Sequence, residues 1–136
     1  LDDLLGRCPL DRLMLEVTEH DVVEDYPGLD EALAEMRGKG LRLAIDDAGA
    51  GFASFRHILR LAPDVIKLDR SLTHEIERRD ENRALAAALI GFATETGSRL
   101  VAEGVETQEE LATLREIGIC KAQGYLLGRP GALPSK

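Results

Sequence analysis

Leu41-Arg42-Leu43-Ala44-Ile45-Asp46-Asp47-Ala48-Gly49-Ala50-Gly51 is an apolar run that ends on two adjacent carboxylates and a loop of small residues. An apolar run of this length, bounded by such a loop, reads as a buried strand, assigned here to residues 41–46. Four more stretches repeat the pattern. Glu16 follows Leu13-Met14-Leu15, Lys67 follows Val65-Ile66, Glu103 follows Leu100-Val101-Ala102, and Gln123 stands near Tyr125. Buried strands that run out on chemically capable side chains are how a parallel α/β barrel presents an active site, with all the functional groups at one rim. Strands are therefore expected at 13–17, 41–46, 65–68, 99–102 and 122–126.

Helical signals fill the intervals between these runs. Leu29, Leu33 and Met36 recur at steps of three and four, with Gly38 or Gly40 to stop the helix. Residues 55–61 suit a short helix ended by Pro63. A long helical segment follows, broken near Asp80, with Leu85, Leu89 and Phe92 on its buried stripe and Gly97 closing it. Thr107-Gln108-Glu109-Glu110 forms a capping box that opens a helix reaching about Ile117. Residues 1–6 read as the end of an earlier helix. Strand and helix alternate without a linker, so residues 1–136 are expected to form one domain around a parallel sheet. A closed eight-stranded barrel needs about 250 residues. The 136 residues here are expected to supply about five strands of a partial TIM-type barrel whose N-terminal strands lie outside this chain.

Charge limits the partners. Lys plus Arg number 17 against 25 Asp plus Glu, a formal net charge of −8, which argues against holding a nucleic-acid polymer by general electrostatic attraction. An anionic ligand then needs metal ions or a local lysine to draw it in. With no long apolar segment and no signal-like start, the reading expects no membrane segment and a cytoplasmic setting. Cys8 and Cys120 accordingly read as inert core thiols.

Asp46-Asp47 is the sharpest chemical signal. Adjacent carboxylates repel unless a cation lies beside them, and hard oxygen ligands favour Mg²⁺, Mn²⁺ or Ca²⁺. Asp-Asp is also common in plain turns; its position at a strand end, with Glu16 and Glu103 at two others, is what points to a metal. Four such carboxylates suit a pair of ions roughly 3.5–4 Å apart, the arrangement that activates water for phosphoryl displacement. Lys67, inside an apolar strand, either snorkels to water or places an ammonium at the rim to orient hydroxide and stabilise phosphate charge.

Taken in order, Leu15-Glu16-Val17-Thr18-Glu19, Asp46 to Ser54, Lys67-Leu68-Asp69, Ala102-Glu103-Gly104-Val105-Glu106 and Gln123-Gly124-Tyr125 with Pro130 resemble the later motifs of the EAL domain family. These are bacterial phosphodiesterases that use two divalent metals to open cyclic di-GMP to linear pGpG. The resemblance implies that Glu16 binds the first metal, that Asp46 bridges both, and that Asp47 and Glu103 belong to the second. Lys67 would hold the hydrolytic water. Glu19 resembles the family's loop-anchoring glutamate, Gln123 and Glu106 resemble rim residues that support water or metal, and Asp69 matches a position near the nucleotide. Tyr125 packs against a base or fills the core. Mg²⁺ or Mn²⁺ would be the working ions and Ca²⁺ an inhibitory occupant. Cyclic di-GMP, a regulatory input domain in the parent protein and a second copy of the chain are the implied partners.

The departures are specific. The Glu-Ala-Leu segment, an arginine that follows it and an asparagine ligand on the next strand are not in this chain, and Ala48 stands where the family's loop usually has phenylalanine. The parent is therefore expected to be an enzyme and this chain alone to be inactive. The alternatives are a degenerate, non-catalytic sensor or interaction module, a structural fragment without ligand, and a different metal-dependent barrel using Lys67 as base.

Overall fold

The computed structural model describes residues 9–18, 26–49 and 52–132. Four parallel strands form one sheet in chain order: β1 (Met14–Val17), β2 (Arg42–Ala48), β3 (Val65–Leu68) and β4 (Arg99–Ala102). The crossovers are α1 (Tyr26–Gly38) between β1 and β2, α2 (Phe52–Leu61) between β2 and β3, and the short α3 (Arg70–Thr73) with α4 (Asp80–Thr96) between β3 and β4; α5 (Gln108–Glu116) follows β4. Sequential order, parallel pairing and helical crossovers make this an arc of a TIM-type barrel.

Alternation along the strands separates two faces. Leu43, Ile45, Ile66, Leu68 and Ala102 are fully buried and share a core with Ile58, Leu61 and Leu89 from the helices. Each large aliphatic side chain buried in this way contributes roughly 1.5–3 kcal/mol. The other strand face carries Met14, Glu16, Arg42, Val65, Lys67 and Val101, which line one shallow cavity together. That is the side that faces the axis in a barrel.

Polar ties hold the helices to the strand starts. Arg37 of α1 donates to the carbonyls of Leu61 and Ala62, at 3.0 and 2.7 Å, and pairs with Asp64 at 3.3 Å. Asp64 in turn accepts the N–H of Leu43. Tyr26 and His57, both buried, share a 3.0 Å hydrogen bond that fastens α1 to α2.

Several expectations need correction. Residues 122–126 do not form a fifth strand: Ala122 makes a single parallel bridge to Ala102, and the chain then turns. At Gly124 a Cβ would lie 2.2 Å from the Val105 carbonyl oxygen, so the backbone there presses against the loop after β4 and leaves the strand direction. The break expected near Asp80 is present, as a 3₁₀ turn at Ile76–Arg78 just before Asp80 begins α4. Leu85 is 37% exposed and leaves the buried stripe to Leu89, with Ala86 and Ala93. Ala48, read as loop, is the buried last residue of β2. Cys120 is exposed rather than in the core, and Cys8 lies outside the described residues. No helix among the described residues is long and apolar enough to cross a membrane.

Candidate functional site

The C-terminal ends of the strands bring the acidic residues together around one lysine. Lys67, on β3, points to the inner face with only 13% of its side chain exposed. Its ammonium lies 3.0 Å from Glu103 Oε1, 3.4 Å from Asp46 Oδ2, and 3.2 and 3.3 Å from the two oxygens of Glu16. Three strands and the residue just past β4 thus meet at this point.

Asp46 and Asp47 reach the rim through an irregularity in the sheet. Pairing between β2 and β3 shifts register between Ile45 and Ala48, and Asp47 adopts a left-handed backbone with φ of 56°. Such a bulge aims successive side chains in directions that a regular strand would not allow. Asp47 N–H donates to Asp46 Oδ1 at 2.9 Å, which steadies the bend. One ligand oxygen from each of Asp46, Asp47 and Glu103 lies within 4.8 Å of the others. Glu16 lies outside this three-residue group and joins it through Lys67.

Mutual repulsion and burial set the protonation. Burial pushes the Glu103 carboxyl up, and the proton it shares with Asp46 adds to the rise, so that it titrates at about 7 despite Lys67. Burial also works against the Asp46 carboxylate. There, hydrogen bonds from Glu103, the Asp47 N–H and Lys67 outweigh it and hold the pKa below the usual range. Burial alone would release the Lys67 proton; the surrounding carboxylates raise its pKa instead, so it stays an ammonium.

The remaining expected residues divide. Gln123 donates to Glu103 Oε1 and so sits at the rim. Asp69 caps α3 by accepting the Ser71 N–H, and Glu106 pairs with Arg70 at 3.1 Å. Tyr125 is 58% exposed, with the Arg129 guanidinium 4.7 Å from its ring centroid, and is not core. Tyr125, Glu106 and Gln123 line a cleft of about 690 Å³ beside the acidic cluster, together with Arg70 and Arg129. Glu19 lies outside the described residues. Sequence reasoning missed Thr73, whose buried hydroxyl donates to the Glu103 carbonyl at 2.5 Å. No spacing signal marks a threonine at the end of so short a helix. It also missed Arg70 and Arg129, whose relevance comes from the cleft that the fold creates.

Known proteins share this sequence and this fold. The family model described as "EAL domain" matches residues 1–130. The chain is 41% identical over 123 residues to the "Probable cyclic di-GMP phosphodiesterase PdeD" of Escherichia coli, covering 90% of this chain and 23% of that protein. A Klebsiella pneumoniae BlrP1 structure, a manganese and cyclic di-GMP complex, superposes with a TM-score of 0.83 at 36% identity, over 93% of this chain and 32% of that one. The EAL domain of Mycobacterium smegmatis DcpA gives a TM-score of 0.84 at 35% identity, over 95% of this chain and 57% of that one. This chain therefore spans under a quarter of PdeD and somewhat more than half of the DcpA domain. A model match over nearly the whole sequence, on a parallel β/α arc whose carboxylates meet at the strand ends, places the chain in the EAL domain family.

Proposed function

We propose that this chain is the C-terminal part of a domain that hydrolyses cyclic di-GMP to linear pGpG with two divalent cations, Mg²⁺ or Mn²⁺. The observation that carries the reading is the meeting of Asp46, Asp47 and Glu103 oxygens within 4.8 Å at the rim, beside Lys67. Hard, partly buried carboxylates suit those ions. Burial and the neighbouring Asp46 carboxyl keep the proton on Glu103 to about 7 despite Lys67, and a bound cation would take the place of that proton. The residues thus fit the cations: Asp46, Asp47 and Glu103 would hold them, with Glu16 beside Lys67. Divalent ions in such a site lower the pKa of bound water and polarise phosphoryl oxygens.

The chain's own groups have distinct parts in this reading. Lys67, held as an ammonium by three carboxylates, orients water and offsets phosphate charge rather than abstracting a proton, which counts against a lysine-base barrel chemistry. Gln123 fixes the Glu103 carboxyl by donating to it, and the cleft between Arg70 and Arg129 offers cations and the Tyr125 ring to a nucleotide. The relatives extend well beyond the matched segment, so activity belongs to the longer parent and the 136-residue chain alone is inactive. The exposed Met14 and Leu15 on edge strand β1 favour self-association of the isolated chain.

A non-catalytic cyclic di-GMP sensor is the second reading, favoured by Ala48, a buried methyl where the family's loop usually has a phenyl ring. The two separate in one experiment on the full-length protein with Mn²⁺. Chromatography should show pGpG, with Asp46→Ala abolishing it. Calorimetric binding without turnover would support the sensor, and turnover surviving Asp46→Ala would overturn the metal role.

A further inference from the structure

Behind the rim, Glu110 is 1% exposed although it carries a carboxylate. Its Oε2 accepts the N–H groups of Glu106 and Thr107, at 2.8 and 3.2 Å. The Thr107 hydroxyl accepts the Glu110 N–H in return, which completes the capping box of α5. A capping box uses one acceptor oxygen. The second oxygen of Glu110 turns away from its own helix and accepts the Glu75 N–H at 3.0 Å, with His74 Nδ1 at 3.4 Å. Glu75 is a non-glycine residue at φ 52°, just past α3, a backbone state that persists only where its surroundings hold it. Burial opposes the Glu110 charge, but the three backbone donors outweigh it and keep the group a carboxylate.

Of the two loops that Glu110 joins, the one after β4 carries Glu103 of the rim. Glu103 N–H donates to the Leu68 carbonyl, and its own carbonyl accepts from Thr73. Both backbone groups of Glu103 are therefore bonded to the stretch that runs from the last residue of β3 through α3. Gly104, at φ 67°, lies so close to Arg70 that a Cβ would meet its side chain at 2.7 Å. We propose that Glu110 is a positioning residue: by accepting backbone N–H groups on both oxygens it locks the 103–107 loop to the 73–75 segment and so fixes where the Glu103 carboxylate stands. A carboxylate is required because an amide offers a single acceptor oxygen.

This inference rests on the metal-site reading above, and its test separates the two. The experiment is Mn²⁺ affinity by titration, with kcat and KM, for the full-length protein and its Glu110→Gln and Thr107→Ala variants. The Gln variant keeps an acceptor for Glu106 and Thr107 and loses the one for Glu75. It is expected to bind Mn²⁺ about 10-fold more weakly, with kcat reduced, KM little changed and faster amide exchange at Glu75. Thr107→Ala breaks only the cap of α5 and is expected to leave Mn²⁺ affinity within about 2-fold of the parent's. Equal weakening in both variants would reduce Glu110 to a helix cap and overturn the proposal. So would unchanged affinity in Glu110→Gln with Glu75 exchange accelerated. Should the Gln variant not fold, amide exchange in the unmodified protein decides: Mn²⁺ should slow Glu75 and Glu106 together, and slowing at Glu106 alone would overturn the link. Mn²⁺ binding without turnover by the unmodified protein would sink the phosphodiesterase reading and leave this comparison intact.

Discussion

Lys67 Nζ lies 3.0 Å from Glu103 Oε1, and that pair sits at the centre of the acidic rim. The same ammonium also reaches Glu16 and Asp46, so one cation holds carboxylates from three separate parts of the chain. Removing it should expose their repulsion. Lys67→Met is expected to destabilise the metal-free fold by about 1–3 kcal/mol, discounted from a fully buried pair because Glu16 is half exposed. Mn²⁺ should restore most of that stability without restoring turnover, as thermal melts with and without the ion will register.

Glu103 gives the site a pH dependence of definite sign. Its folded pKa of about 7 lies above the ordinary 4.5, so the folded chain binds more protons than the unfolded chain across that interval. The stability this group contributes is present below about pH 4.5 and is lost as pH rises through 7. Metal-free melts should therefore fall between pH 5 and 8. Mn²⁺ must displace that proton, so its affinity should rise over the same range, with proton release that calorimetry in buffers of different ionisation enthalpy will measure.

Asp47 holds a conformation that glycine adopts without strain. Asp47→Gly should change stability by less than about 1 kcal/mol in either direction, because relief at φ 56° offsets the flexibility gained in the unfolded chain. Metal affinity should nonetheless fall. Unfolding in urea alongside Mn²⁺ titration distinguishes this from a fold defect, which would lower both.

Gly124 is where the chain leaves the line of a fifth strand. A methyl group there would strike both the N and the O of Val105, at 2.3 and 2.2 Å. Gly124→Ala is expected to cost more than about 2 kcal/mol and to displace Gln123 from Glu103. A melt within a degree of the parent's would contradict the close approach.

How much of this was legible in the sequence follows from where each signal resides. Runs that bury one face announce themselves, so β3 and β4 coincide with the expected 65–68 and 99–102, and β2 extends only two residues past its expected end. The capping box at Thr107 was readable because both of its members lie within one helical turn. Residues 122–126 looked like a strand because Ala122 and Leu126 are apolar. Among the described residues their only strand bridge is that of Ala122 to Ala102, and Gly124 packed on Val105 diverts the backbone. That is a tertiary contact with no local trace. The same holds at the rim: Asp46, Asp47 and Glu103 were expected to converge and do, while Glu16 meets Lys67 instead of the three-carboxylate group. Thr73 and the second oxygen of Glu110 act across loops that only the fold brings together.

The most direct test of the central claim is Mn²⁺ binding to the full-length protein, followed by electron paramagnetic resonance as the ion is titrated. Two ions close enough to couple are expected, with the coupled signal lost in Asp46→Ala. Binding of a coupled pair that persists undiminished in that variant, or no Mn²⁺ binding by the unmodified protein, would contradict it.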